Sequence, residues 1–437
     1  MSTSPLARIL SRAAPIEPRE LPAVIAAFTL FFCVLGGYFA VRPVRETVGT
    51  ILGGDRVANL WVVTWIASLI IVPLYGAVVS RFRRSVFLPW TYGAVALALA
   101  LVGISFRGGE PGVTAGQFFY VMISVLNLFL VSVFWSFLVE LFDSGQAKRL
   151  FGFIAAGGTA GALIGPFLTD MTVSVIGNPG VLFLGASLFV VAIVCQRILL
   201  RIWAREAAAS GAAGGERHDR AIGGNPFAGF TLVLKSPYLL GIASFVVLLA
   251  TASTFLYFEQ LRVVEATFAS TEERTRVFAR IDWIVQSLTI IAQIFITGRV
   301  ASRLGLTVLL TIVPIAMIFG FLALATWNVF AVLAVVMVMR RAGEYAFVRP
   351  GREMLWSRLD RETKYKAKNV IDVPVYRGAD ALAAQVQSAV LQTGAGAGVV
   401  ALLGAGVAAL WALNGWWLGR RHDAAPQTAP RAAEVKG

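Results

Sequence analysis

Residues 22–46 read PAVIAAFTLFFCVLGGYFAVRPVRE. From Pro22 to Val41 no side chain is charged at neutral pH. About twenty such residues in a helix cross the roughly 30 Å hydrocarbon core of a bilayer. The stretch then runs straight into Arg42, Arg45 and Glu46. This is a membrane span with charges built into its far end.

Working outward, apolar stretches recur at 57–79, 86–106, 117–142, 151–176 and 181–203, then at 237–258, 278–300, 306–326, 328–356, 369–393 and 396–419. With the first span these are six, a polar linker and six more. The expected plan is an all-α membrane protein of twelve transmembrane helices in two six-helix bundles. Residues 1–203 and 237–419 are the bundles, 204–236 a cytoplasmic linker and 420–437 a cytoplasmic tail. Composition agrees: 57% of the 437 residues are hydrophobic and only 14% charged, against about 25% charged in soluble chains. Mean hydropathy is +0.75. Continuous apolar runs argue against a β-barrel, whose strands alternate. No cleavable signal peptide is expected, because the first span is too long and has no small-residue cleavage site after it.

Little in the chain points to catalysis. Cys33 and Cys195 lie inside spans and read as small buried hydrophobes. His218 and His422 are isolated in polar segments, and neither a zinc-protease motif nor a glycine-lysine phosphate loop occurs. No cofactor, no metal and no enzymatic activity are expected.

Positive charge sets the orientation, because loops that stay in the cytoplasm keep it. With the N-terminus inside, 25 of the 38 Lys and Arg fall on the cytoplasmic side, 6 on the external side and 7 in or at the ends of spans. The expectation is a multi-pass, monomeric protein of the cell inner (plasma) membrane with both termini cytoplasmic. The same bias explains the net charge of +14 without a nucleic-acid partner; the charge faces lipid headgroups.

An internal repeat supports six plus six. Gly76-Ala-Val-Val-Ser80-Arg81 follows the second span and Gly298-Arg-Val-Ala-Ser302-Arg303 the eighth. Both resemble the short inside loop that the major facilitator superfamily repeats at these two places, with serine where that family has aspartate. In the fifth span Gly152, Gly161 and Gly165-Pro166 resemble most of a glycine motif of facilitator antiporters. Gly157, Gly161 and Gly165 share one helical face, so ordinary close helix packing explains them equally well.

The decisive residues are charges inside spans. Seven are basic (Arg42, Arg45, Arg340, Arg341, Arg349, Arg352, Arg377) and seven acidic (Glu46, Glu140, Asp282, Glu344, Glu353, Asp372, Asp380). At about 2.5 to 3.5 kcal/mol each, all fourteen facing lipid would cost about 35 to 50 kcal/mol. They must face one another or a wet cavity, and a wet charged cavity through a bilayer is a transport path.

Two clusters are near copies: Arg42-Pro-Val-Arg45-Glu46 ending the first span, and Arg349-Pro-Gly-Arg352-Glu353 in the tenth. In each, two arginines and a glutamate share one helical face, and the proline invites a kink. Arginine forks grip phosphate or carboxylate, so such faces suit an anionic small molecule, the glutamate orienting the guanidinium. The two spans run in opposite directions, which puts the clusters toward opposite ends of one anion path. The alternative is a self-satisfied cap, with Arg42–Glu46 and Arg349–Glu353 as intrahelical pairs. Glu140 has Lys148 and Arg149 as other partners. Nearby aromatics (Tyr38, Tyr345, Tyr376) either stack a nucleobase or pack helices.

At these clusters the chain resembles the ATP:ADP antiporters of plastids and intracellular bacteria. The first motif of that family runs basic, two residues, basic, acid, as do Arg42, Arg45 and Glu46. Its long later motif is matched by Arg352-Glu353-Met354, Leu359-Asp360, Lys364, Lys366, Lys368, Ile371-Asp372-Val373 and Arg377. Two motif lysines are arginines here, and Asp380 stands where the family has a further basic residue. The resemblance implies nucleotide exchange across the inner membrane.

The resulting expectation is a secondary transporter of an anionic metabolite working by alternating access, with nucleotide as the leading cargo. Substrate would meet Arg42, Arg45, Glu46, Arg349, Arg352, Glu353 and Arg377, while Glu140, Asp372 and Asp380 gate or couple. A proton-coupled carrier of another organic anion or drug is the alternative within the class, and a non-transporting membrane scaffold the alternative outside it.

Overall fold

The computed structural model describes residues 17, 19–81, 84–109, 112–210, 228–359 and 361–424. Arg83, Asp360, His218, the middle of the expected linker and the end of the tail lie outside them, as do the side chains of the loop at 76–84.

The first four helices are α1 (Leu21–Leu52), α2 (Gly54–Arg81), α3 (Arg84–Ser105) and α4 (Val113–Leu141). One helical run, Ser144–Ser210, turns at Gly177, whose φ of 66° suits a residue without Cβ, and so divides into α5 (144–176) and α6 (178–210). The short α7 is Ala228–Lys235 and α8 is Pro237–Thr267. The run from Thr271 to Thr326 turns in the same way at Gly305, φ 76°, giving α9 (271–304) and α10 (306–326). The last three helices are α11 (330–355), α12 (361–392) and α13 (Ala397–Ala424). Where the linker was expected to open at 204, α6 continues to Ser210, and α7 occupies part of the remainder.

Among the described residues, eight helical runs are long and apolar enough to cross a membrane. Two of these are the double runs divided at Gly177 and Gly305. The charged α11 and α12 complete twelve crossings, and the chain is an all-α membrane protein. Many large apolar side chains along the helices point outward, among them Ile70, Leu97, Leu101, Phe319, Leu382 and Leu413. No soluble protein leaves such a surface uncovered, and lipid covers it at no cost.

Contacts group the chain into two compact units, Met1–Gly223 with Gln260–Gln286, and Gly224–Glu259 with Ser287–Gly437. In the first, α1 is the central element. It stays helical through Pro43 and buries Val24, Leu30, Val34, Tyr38 and Val41. The glycines of α5 lie against it: a Cβ on Gly157, Gly161 or Gly165 would run into the carbonyl oxygens of Phe28, Phe32 and Gly36. That contact is close small-residue packing. Phe31 of α1 stacks on Phe134 of α4 with ring centres 4.0 Å apart. In the second unit α10 and α13 pack as closely, Gly415 lying under the Leu310 carbonyl and Trp411 edge-on to Phe245 of α8.

Candidate functional site

In the first unit, α1 carries Arg42, Arg45 and Glu46 on one face. Glu46, 5% exposed, is shared: Arg42 Nε lies 3.5 Å from its Oε1 and Arg45 Nη2 bonds the same oxygen. Arg42 Nη1 also donates to both oxygens of the buried Asp282 at 3.4 Å. Arg45 Nη1 donates to Ser124 of α4 at 3.2 Å, and its guanidinium lies 5.4 Å from the centre of the Tyr120 ring. The Tyr120 hydroxyl is held by Trp61 at 2.8 Å. Two arginines thus face two carboxylates, with aromatic and hydroxyl support. The Arg42–Glu46 intrahelical pair is present, yet Arg42 is bound as firmly outside its own helix.

Asp282 belongs to the first turns of α9, which are stitched to α1 and α5. Arg280 donates to Asp170 of α5 from Nε and Nη2 at 3.2 and 3.0 Å, and Trp283 adds its indole N–H at 3.0 Å. Arg276 reaches Ser174 at 2.8 Å, and Arg274 reaches Thr50 at 3.1 Å. Thr275 Oγ lies 2.6 Å from both Asn178 Oδ1 and Thr47 Oγ. Because Oδ1 only accepts, Thr275 donates to it and receives from Thr47. Beside this seam is a cavity of about 760 Å³, lined in part by Thr47, Arg107, Asn178, Phe183 and Glu272.

The second unit holds a ladder of ion pairs on α11 and α12. Glu344, 6% exposed, binds two arginines: Arg340 Nη1 donates to Oε2 at 2.9 Å and Arg349 Nε to Oε1 at 3.4 Å. Arg340 also reaches Ser253 of α8 at 2.7 Å, while its buried Nε makes no hydrogen bond among the described residues. The Arg349 guanidinium lies 4.3 Å from the Tyr345 ring centre. Arg352 Nη2 is 3.4 Å from Asp372 Oδ1, and Arg352 Nε is likewise unspent. Lys368 takes Glu353 at 2.5 Å. Arg377 is 3.7 Å from Asp380 Oδ2, and Thr254 donates to Asp380 Oδ1 at 3.4 Å.

The two sequence copies are therefore wired differently. The intrahelical pair Arg349–Glu353 does not form; Arg349 turns back to Glu344, and Glu353 turns across to Lys368. The reason is local geometry, since a wide π-helical turn at Glu344–Val348 precedes Arg349. Glu140 is exposed near the end of α4. Arg149, one of its expected alternative partners, donates to Glu20 at 2.9 Å, with Gln146 on the same carboxylate at 3.1 Å.

Asp170 is the residue the sequence reading missed. It is a carboxylate inside the span 151–176, 3% exposed, and its position alone was a sufficient signal. The hydroxyls of Ser124, Ser253 and Thr254 were not recoverable, because serine and threonine also occur in spans with no role beyond bonding their own helix.

No protein-family model and no curated protein matches the chain. Solved structures do. A nucleoside transporter, NupG, aligns with a TM-score of 0.64 at 17% identity, over 92% of this chain and 99% of that one. A bacterial homologue of the iron transporter ferroportin in an inward-facing state aligns at 0.67 and 13%, over 91% and 99%. An auto-inhibited peptide transporter of the POT family aligns at 0.62 and 13%, over 94% and 98%. At these identities the likeness shows the fold: twelve helices in two six-helix bundles, the major facilitator fold.

Proposed function

We propose that this chain is a secondary transporter that moves an anionic metabolite across the membrane by alternating access, with a nucleotide, triphosphate against diphosphate, as cargo. The observation that carries the reading is the buried Arg340–Glu344 pair within a membrane-crossing helix, with the half-exposed Arg349 on the same carboxylate. Buried ion pairs give no more stability than well-packed apolar side chains of the same volume, so a purely structural helix gains nothing from them. An anion has something to gain. One carboxylate divided between two arginines leaves guanidinium N–H groups unspent, Arg340 Nε among them, and an entering phosphate displaces Glu344 with a bidentate grip.

The ladder gives each residue a role. Arg349, Arg352 and Arg377, with Glu353, receive the anion in the second unit; Arg42, Arg45 and Glu46 are the receiving set of the first. Asp372 and Asp380 hold the arginines between loadings and couple or gate, with Glu140 near a loop. The chain acts as a monomer in the inner membrane, both termini cytoplasmic, as a carrier and without a cofactor.

Asp380 favours a second reading. A buried acid beside Arg377 suits proton-coupled movement of another organic anion or drug. Uptake of labelled ATP into proteoliposomes, with and without internal ADP, separates them. Uptake that needs internal nucleotide supports exchange. Uptake driven by a proton gradient with no counter-substrate supports the second reading, and binding without flux leaves a membrane scaffold.

A further inference from the structure

Three helical turns of the second unit are π-helical: Gln293–Thr297 in α9, Glu344–Val348 in α11 and Ile371–Val375 in α12. A π turn inserts one residue and leaves a carbonyl without its ordinary helical partner. Two of these turns face each other and settle that debt between them. Gln293 Nε2 donates to the Tyr345 carbonyl at 3.2 Å. The Thr297 hydroxyl donates to the Ala346 carbonyl at 2.8 Å and lies 3.1 Å from the Ala292 carbonyl of its own turn.

The wide turn has a consequence for charge. In an α-helix residues five apart point about 140° away from each other, so residues 344 and 349 would lie on different faces. Hydrogen bonding from i to i+5 brings the fifth residue back over the first. This is why Glu344 and Arg349 meet at 3.4 Å. The same acid, four residues, arginine pattern spans the third π turn as Asp372 and Arg377. There both groups have taken other partners, Arg352 and Asp380.

We propose that Thr297 and Gln293 are positioning residues for anion recognition: their side chains hold the α11 turn in its wide form and thereby aim Arg349 at Glu344 and at the incoming anion. Without those donors both carbonyls lose their partners; relaxing to α-helix returns the Arg349 N–H to the Tyr345 carbonyl, while Ala346 faces Pro350, which has no N–H to offer. Relaxation rotates everything beyond the turn by about one residue, roughly 100°, carrying Arg349 and Arg352 off their face. The inference rests on the transporter reading, but the geometry is testable without it.

The experiment uses the full chain with Cys33 and Cys195 replaced by alanine and cysteines placed as Glu344→Cys and Arg349→Cys. A short bismaleimide should bridge the pair, with the linked peptide read by mass spectrometry, and Gln293→Leu with Thr297→Val in that background should abolish the bridge while Thr297→Ser keeps it. In the chain with Glu344 and Arg349 intact, the double variant Gln293→Leu with Thr297→Val should raise the half-saturation for ATP uptake about tenfold and leave the maximal rate within about twofold, with Thr297→Ser near the parent. A bridge that persists in the double variant overturns the proposal. So does an unchanged half-saturation once the parent is seen to carry ATP. If the parent carries no ATP, the nucleotide reading falls and the bridge alone decides the positioning role.

Discussion

Asp170 and Arg280 meet fork to fork, with Nε and Nη2 of the guanidinium on the two carboxylate oxygens at 3.2 and 3.0 Å. They are 110 residues apart in the chain, and the pair ties the first turns of α9 to α5. Bidentate geometry makes it the strongest single tie in that seam.

Removing it should loosen the seam. Hydrogen bonds to a charged group contribute about 1.5 to 3 kcal/mol, and Arg280 is half exposed, which puts the loss at the lower end. Asp170→Ala is expected to raise the rate at which a membrane-impermeant maleimide labels Val48→Cys, a cavity-lining position, by about tenfold or more. An unchanged labelling rate would show that the pair does not hold the seam.

The glycine face of α5 makes a sharper prediction. Gly161→Ala places a methyl against the Phe32 carbonyl, whereas nothing lies within 4 Å of a Cβ on Gly152. Overpacking costs about 1 to 3 kcal/mol. Thermal unfolding in detergent should therefore show a clear drop for Gly161→Ala and none for Gly152→Ala.

Glu344→Gln leaves Arg340 and Arg349 without their shared counter-charge. Breaking a buried pair from one side costs about 3 to 5 kcal/mol, while replacing the partner as well is nearly neutral. The melting temperature should fall for Glu344→Gln and recover in good part in the double variant Glu344→Gln with Arg340→Met. Equal damage in both would mean that charge balance is not what Glu344 supplies.

The rungs of the ladder should not be equal. Glu353 is half exposed at Lys368, whereas Arg352 is 14% exposed at Asp372. Exposed pairs are worth about 0.2 to 1 kcal/mol. Lys368→Ala should leave the melting temperature nearly unchanged, and Arg352→Ala should lower it measurably and abolish ATP uptake. Normal uptake in Arg352→Ala would remove that arginine from the site.

The membrane plan was legible because its cause is local. Each span is a continuous apolar run long enough to cross the bilayer core, and helix is the conformation that satisfies its backbone there. The turn between the fifth and sixth spans was legible for a similar reason, since Gly177-Asn178-Pro179-Gly180 is turn chemistry wherever it occurs. The arginine clusters stood out because charge in a span is expensive enough to need a reason.

By itself, then, the amino-acid sequence determined that this is a helical membrane protein, how often it crosses, and that arginine and carboxylate cluster inside its spans. Only the tertiary structure decided which of them pair. Glu353 goes to Lys368 rather than to Arg349, and Asp282 closes on Arg42 across 240 residues. Such choices turn on a few tenths of a nanometre between different helices. Hydropathy acts residue by residue, but an ion pair depends on where two distant backbones place their side chains, and one extra residue in a π turn is enough to change the partner.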